Sequence, residues 1–105
     1  MERVTSEQFI RLLNEKEKRF AAIINFSFYY IEQGQIYRFE QNHNEKSLRF
    51  VRDFYDGEIT DQELADEIKC IILKQMQYDW FTDAWKETII ENVMRSRSDI
   101  DVFFF

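Results

Sequence analysis

Polar and apolar positions change period several times along this chain. Phe9, Leu12 and Leu13 recur at helical spacing behind Thr5-Ser6-Glu7-Gln8, where a Thr cap and a Gln three residues on can each satisfy a backbone donor of the other. This capping box predicts a first helix that runs to about Arg19, with Lys16, Lys18 and Arg19 supplying the charge favoured at a helix C-terminus. From Phe20 to Phe39 the period shortens to two. Phe20, Ala22, Ile24, Phe26 and Phe28 alternate with a second set, and aromatic and β-branched residues are dense, as in strands. Glu32-Gln33-Gly34-Gln35 suits a hairpin turn with Gly34 at positive φ, and Gln35 to Phe39 suits the return strand. The rival reading of Phe20 to Ile24 is a continuation of the first helix through Ala21 and Ala22.

Helical spacing returns at Leu48, Val51, Phe54 and Tyr55, after the polar cluster Gln41-Asn42-His43-Asn44, in which Asn44 can cap. Gly57 fits the end of that helix. Thr60-Asp61-Gln62-Glu63 is a second capping box, with Ile59 and Leu64 at staple positions around it. The helix it opens is expected to span Asp61 to about Gln77, with Leu64, Ile68, Ile71 and Ile72 on one face. Leu73 and Cys70 point elsewhere, so either the helix is covered on two sides, as a central helix is, or Leu73 forms part of an exposed contact surface; the central position is expected. Asp79 can cap a last helix from Trp80 to about Arg95, with Phe81, Trp85, Ile89 and Val93 inward. Ile100, Val102 and Phe104 then alternate with Asp99, Asp101 and Phe103 as in an edge strand. The expected architecture is α+β: about four helices with a small antiparallel sheet, built from the aromatic hairpin and the C-terminal strand, in one domain over residues 1–105.

Composition narrows the class. A chain with 45% hydrophobic residues, eleven Phe, no Pro and two Gly is a folded domain with no room for a linker. Its apolar runs are too short to span a membrane, and its N-terminus lacks a signal-peptide core, so a cytoplasmic location is expected. The one cysteine, Cys70, cannot form an internal disulfide, agrees with a reducing compartment and, mid-helix without an activating base, is expected to be a buried or half-buried structural thiol.

Charge changes the picture further. The net charge is −6, and seven carboxylates lie between Arg52 and Lys69 with no cation among them. Nucleic-acid binders supply cations to phosphates, so direct binding of DNA or RNA is not expected, and a basic protein partner is. A second acidic row, Asp83, Glu87 and Glu91, recurs every four residues on the last helix. Like charges at that spacing weaken a helix, a cost that a binding surface can offset. The candidate partner-binding residues are Tyr55, Asp56, Glu58, Asp61, Glu63, Asp66, Trp80, Asp83 and Glu87, with Tyr55 and Trp80 as anchors and the carboxylates giving steering and charge-assisted hydrogen bonds. A homodimer through the aromatic strands stays open.

Catalytic and metal chemistry find little footing. Asp56-Gly57-Glu58-Ile59 with Glu63 matches the back half of an EF-hand loop, but Arg52 and Phe54 then fall at its first and third ligand positions, where calcium needs oxygen donors. His43 is the only histidine, without the companions of a triad or a metal site. Glycine-rich phosphate loops are absent. The expectation is a non-enzyme with no metal and no cofactor.

The stretch from Leu48 to about Ile72, with its helix, DFYDGEITDQELADEI corner and second helix, resembles the helical corner of colicin-D-type immunity proteins and other small bacterial immunity proteins. The resemblance implies an acidic inhibitor that binds a basic nuclease toxin and places carboxylates where substrate phosphates would lie. The aromatic hairpin has no counterpart in the all-helical colicin type; contact-dependent-inhibition immunity proteins, which vary widely in fold, accommodate it. Ile100 to Phe104 is also similar to the short hydrophobic C-terminal motifs by which replication and phage transcription factors dock on sliding clamps, with Arg97 where one version has glutamine. That implies the alternative function, a phage- or plasmid-encoded adaptor docking its C-terminus on a host replication or transcription component.

Overall fold

The computed structural model describes residues 1–24, 27–40, 45–75, 86–95 and 100–105. In chain order its elements are β1 (Glu2–Val4), α1 (Ser6–Asn14), β2 (Phe20–Ile24), β3 (Ser27–Glu32), β4 (Gln35–Glu40), α2 (Glu45–Tyr55), α3 (Asp61–Gln75), α4 (Lys86–Arg95) and β5 (Ile100–Phe104). The strands form one antiparallel sheet in the order β1-β5-β2-β3-β4. The fold is α+β, as expected, with four helices among the described residues.

Both faces of the sheet are covered. On one, Phe20, Ala22, Ile24, Tyr29, Ile31 and Val102 pack against Phe9 and Leu13 of α1 and Ile89 and Val93 of α4. On the other, Ala21, Ile23, Phe28, Tyr30 and Phe103 meet Val51 and Phe54 of α2 and Leu64, Ile68 and Ile72 of α3. A strand buried on both faces needs apolar residues at every position rather than at every second one. That requirement accounts for the unbroken apolar run of Phe20 to Ile24.

Several expectations change in the structure. The first helix ends at Asn14 rather than near Arg19. Its apolar stripe stops at Leu13, and the following residues to Arg19 are exposed, so no packing holds further turns in place. The expected hairpin is a three-stranded unit, because Phe20 to Glu32 divides into β2 and β3, which pair with each other through Ile24 opposite Ser27. The parity records the division: Phe20, Ala22 and Ile24 share one face, whereas Phe28 lies on the other. Gln33 and Gly34 then make the next turn with φ of 51° and 77°, a conformation suited to a two-residue hairpin loop.

Two placements differ more sharply. The C-terminal strand is interior, not an edge, with β1 on one side and β2 on the other. Edge position belongs instead to β1, a strand of three residues that has no helical or alternating signature to announce it. Helix α3 lies on one face of the sheet rather than at the centre, so Leu73 is 43% exposed and Cys70 is exposed rather than buried or half-buried. Asn44, His43, Phe81 and Trp85 lie outside the described residues. No described helix is long and apolar enough to cross a membrane.

Candidate functional site

The corner between α2 and α3 is built by backbone hydrogen bonding. The Glu58 N–H donates to the Asp53 carbonyl at 2.9 Å and the Gly57 N–H to the Phe54 carbonyl at 3.0 Å, a Schellman pair that closes α2. Gly57 takes φ of 82°, the left-handed conformation this motif requires. Three residues later Thr60 caps α3, its Oγ1 accepting from the Glu63 N–H at 3.2 Å and donating to Glu63 Oε1 at 3.1 Å. Ile59 and Leu64, at the staple positions, both join the core on this side of the sheet. The turn is therefore held from both ends, and the side chains on it are displayed from a fixed frame.

The displayed side chains are acidic. Asp56, Glu58, Asp61, Glu63 and Asp66 are all exposed. Asp61 pairs with the Met1 amino group, and Asp66 Oδ1 accepts from Gln62 Nε2 at 3.0 Å. Asp56 and Glu58 have no cation within 4.0 Å among the described residues. Local negative potential is strongest where such charges stand together uncompensated.

Tyr55 ends α2 at the rim of this corner and is 52% exposed. Its exposure is that of the ring; the hydroxyl turns inward and donates to the carboxylate of Asp101 on β5. The other oxygen of Asp101 accepts from Arg3 Nε on β1 at 3.1 Å. Asp101 is only 7% exposed, so the two bonds satisfy a charge that burial would otherwise penalise heavily. Burial, the bond to Asp101 and its negative charge push the Tyr55 hydroxyl up from 10.0 to about 12. Beneath it, the Tyr55 ring meets that of Phe54 edge-on at 5.2 Å, and Phe54 meets Phe103 at 5.4 Å. The rim is thus fastened to the middle of the sheet.

Of the residues marked by sequence, Tyr55, Asp56, Glu58, Asp61, Glu63 and Asp66 come together here. Glu87 does not, because α4 packs on the opposite face of the sheet. Trp80 and Asp83 lie outside the described residues. Sequence reasoning passed over Arg3 and Asp101. The available signal was an acid in the otherwise apolar run Ile-Asp-Val-Phe-Phe, a pattern that calls for a buried partner. Among the described residues no three His, Cys, Asp or Glu side chains are grouped so as to hold a metal. The carboxylates are spread around the corner, an arrangement suited to an extended surface.

No family model, curated protein or solved structure matches this chain.

Proposed function

We propose that this protein is an inhibitory binding protein of the immunity type, which neutralises a cationic nuclease toxin by covering its basic active-site surface with the α2–α3 corner. The observation that carries this reading is the group of exposed carboxylates around Asp56 and Glu58, held on a doubly capped turn beside the pinned ring of Tyr55. Carboxylates displayed from a backbone turn that is held at both ends can occupy the positions of substrate phosphates on a basic nuclease. Their field also accelerates encounter with a cationic surface. Tyr55 adds a rigid, partly apolar ring to anchor the complex once formed.

The adaptor alternative gains no support. Its docking segment would be Val102 to Phe105, yet Val102 and Phe103 are 0% and 2% exposed on an interior strand.

The test pairs affinity capture with an activity assay. The tagged chain is incubated with the products of its neighbouring genes, washed at low and high salt, and any captured basic polypeptide is assayed for nuclease activity with and without the chain. The reading expects stoichiometric capture weakened by salt, nuclease inhibition, and loss of both on Asp56→Lys with Glu58→Lys. Inhibition and association kinetics unaffected by that double reversal would overturn it.

A further inference from the structure

Helix α2 has a second face that the acidic corner does not explain. Val51 and Phe54 turn inward to the core, which leaves Leu48, Arg49, Arg52 and Tyr55 exposed. Leu48 and Tyr55, at 41% and 52% exposure, are two of the few large apolar side chains left in solvent among the described residues. They stand seven positions apart and so share one flank of the helix. Arg49 and Arg52 run beside them. Neither arginine has a carboxylate within 4.0 Å among the described residues, although Glu45 and Asp53 lie about one turn away on the same helix and Asp56 directly follows its last turn. A cationic, partly apolar face with unpaired charges thus adjoins an anionic one in a chain of net charge −6.

We infer that this face of α2 binds a second copy of the chain, in a two-fold dimer that sets Arg49 and Arg52 of each copy against Asp56 and Glu58 of the other. On the exposed flank beside Leu48 and Tyr55 the order of charges makes the surface self-complementary. Arg49 and Arg52 precede Tyr55, with Glu45 a turn further back and Asp53 half-buried, and the exposed Asp56 and Glu58 follow it. An antiparallel apposition about Tyr55 satisfies both sets twice, as an isologous interface requires. The same apposition takes the exposed rings of Tyr55 and the Leu48 side chains out of water. Nucleic acid is a poorer occupant, because the neighbouring carboxylates would repel its phosphates.

Net repulsion between two anionic copies limits the strength of this contact. At physiological ionic strength charges separated by more than about 8 Å are largely screened, whereas contact pairs retain part of their attraction. The individual pairs are exposed and each contributes little. The dimer is accordingly weak and reversible. It occupies the corner only until a partner with greater charge and apolar complementarity displaces the second copy. The dimer rests on the charge pattern of α2 and needs no assumption about what that partner is.

The test is sedimentation of the purified chain over a concentration series at near-physiological and at high salt, with two double variants. The wild type is expected to approach twice the monomer mass at moderate salt and to fall to the monomer mass at high salt. Arg49→Glu with Arg52→Glu makes both sets acidic, and Asp56→Lys with Glu58→Lys makes both sets basic, so each variant alone is expected to be monomeric. An equimolar mixture of the two restores opposite charges at both contacts and is expected to dimerise again. Re-pairing of this kind cannot come from unfolded chains, and near-ultraviolet circular dichroism checks each variant separately. A wild type that stays monomeric at every concentration, a dimer that survives either double reversal, or a mixture that fails to re-pair would each overturn the inference.

Discussion

The Tyr55 hydroxyl donates to the Asp101 carboxylate, joining the last turn of α2 to an interior strand of the sheet. Arg3 completes the arrangement from β1. A partly exposed aromatic ring at the rim of the acidic corner is thereby held by a buried charge, whose two oxygens accept one bond each from Tyr55 and Arg3.

Removing the carboxylate exposes that dependence. Asp101→Ala removes the acceptor of the Tyr55 hydroxyl and one partner of Arg3, and destabilisation of about 1–3 kcal/mol is expected. Asp101→Asn keeps one acceptor oxygen and should cost less. Urea denaturation of the two variants beside the wild type measures the difference, and equal midpoints for all three would show that the bonds contribute nothing net.

Alkaline titration reads the same contact. Because the folded-state value of Tyr55 is raised from 10.0 to about 12, the neutral hydroxyl is favoured by folding; its contribution is fully present below pH 10.0 and is lost as pH rises through about 12. Tyr30, raised further by burial and by its bond to Glu32, adds a loss of the same sign that also begins near pH 10.0 and continues beyond that of Tyr55. Thermal midpoints measured across this range should fall in the wild type. Tyr55→Phe should make the fall shallower between pH 10.0 and about 12 while leaving the share that belongs to Tyr30.

Gly57 isolates a backbone effect. A Cβ placed there meets nothing within 4 Å, yet φ is 82°. Gly57→Ala is therefore expected to cost about 1 kcal/mol through conformation alone, with Gly57→Asn milder. A Tm unchanged by the alanine would mean that the corner relaxes to another turn.

Charge reversal at Asp56 and Glu58 should separate binding from folding. Both side chains are exposed, so the double lysine variant is expected to keep its stability within about 0.5 kcal/mol. Its association with a cationic partner should slow by roughly tenfold or more, with a flatter dependence on salt. Stopped-flow association at two ionic strengths checks this.

Phe103→Ala removes a ring that is 2% exposed and stacked edge-on with Phe54. A loss of about 3–5 kcal/mol is expected, a large share of the stability of a domain this size. Chemical denaturation measures it; a change below about 1 kcal/mol would contradict the interior placement of β5.

How far the sequence reached depended on whether a signal was local. Thr5 with Gln8, Thr60 as the cap of α3, and Gly57 are satisfied within a few residues, and the structure places each as expected, except that the Glu63 carboxylate accepts from the Thr60 hydroxyl rather than from the Thr60 backbone N–H. The stretch from Phe20 to Glu32 was legible as strand but not as two strands. With both faces of β2 and β3 buried, the second apolar set hides the change of parity between Ile24 and Phe28. The interior position of β5 was out of reach for another reason: Ile100 to Phe104 shows the same alternation whether one neighbour or two are paired with it. At the candidate site the exposed acids were readable from charge density alone. The link from Tyr55 to Asp101 crosses 46 positions and leaves no periodic trace.

The place of β5 also governs the order in which this molecule can assemble. Arg3 and Asp101 meet across 98 positions of sequence, and β1 has no strand to pair with until β5 arrives. β2 likewise waits for one of its two neighbours. Helix α1 and the β2–β3–β4 meander can form from local contacts, but the sheet becomes continuous only when β5 inserts between β1 and β2, so loop closure over nearly the whole chain stands before the final gain in stability. On a ribosome, β1 would remain without its strand partner until residues 100–104 have emerged, and protection of that edge would begin only then.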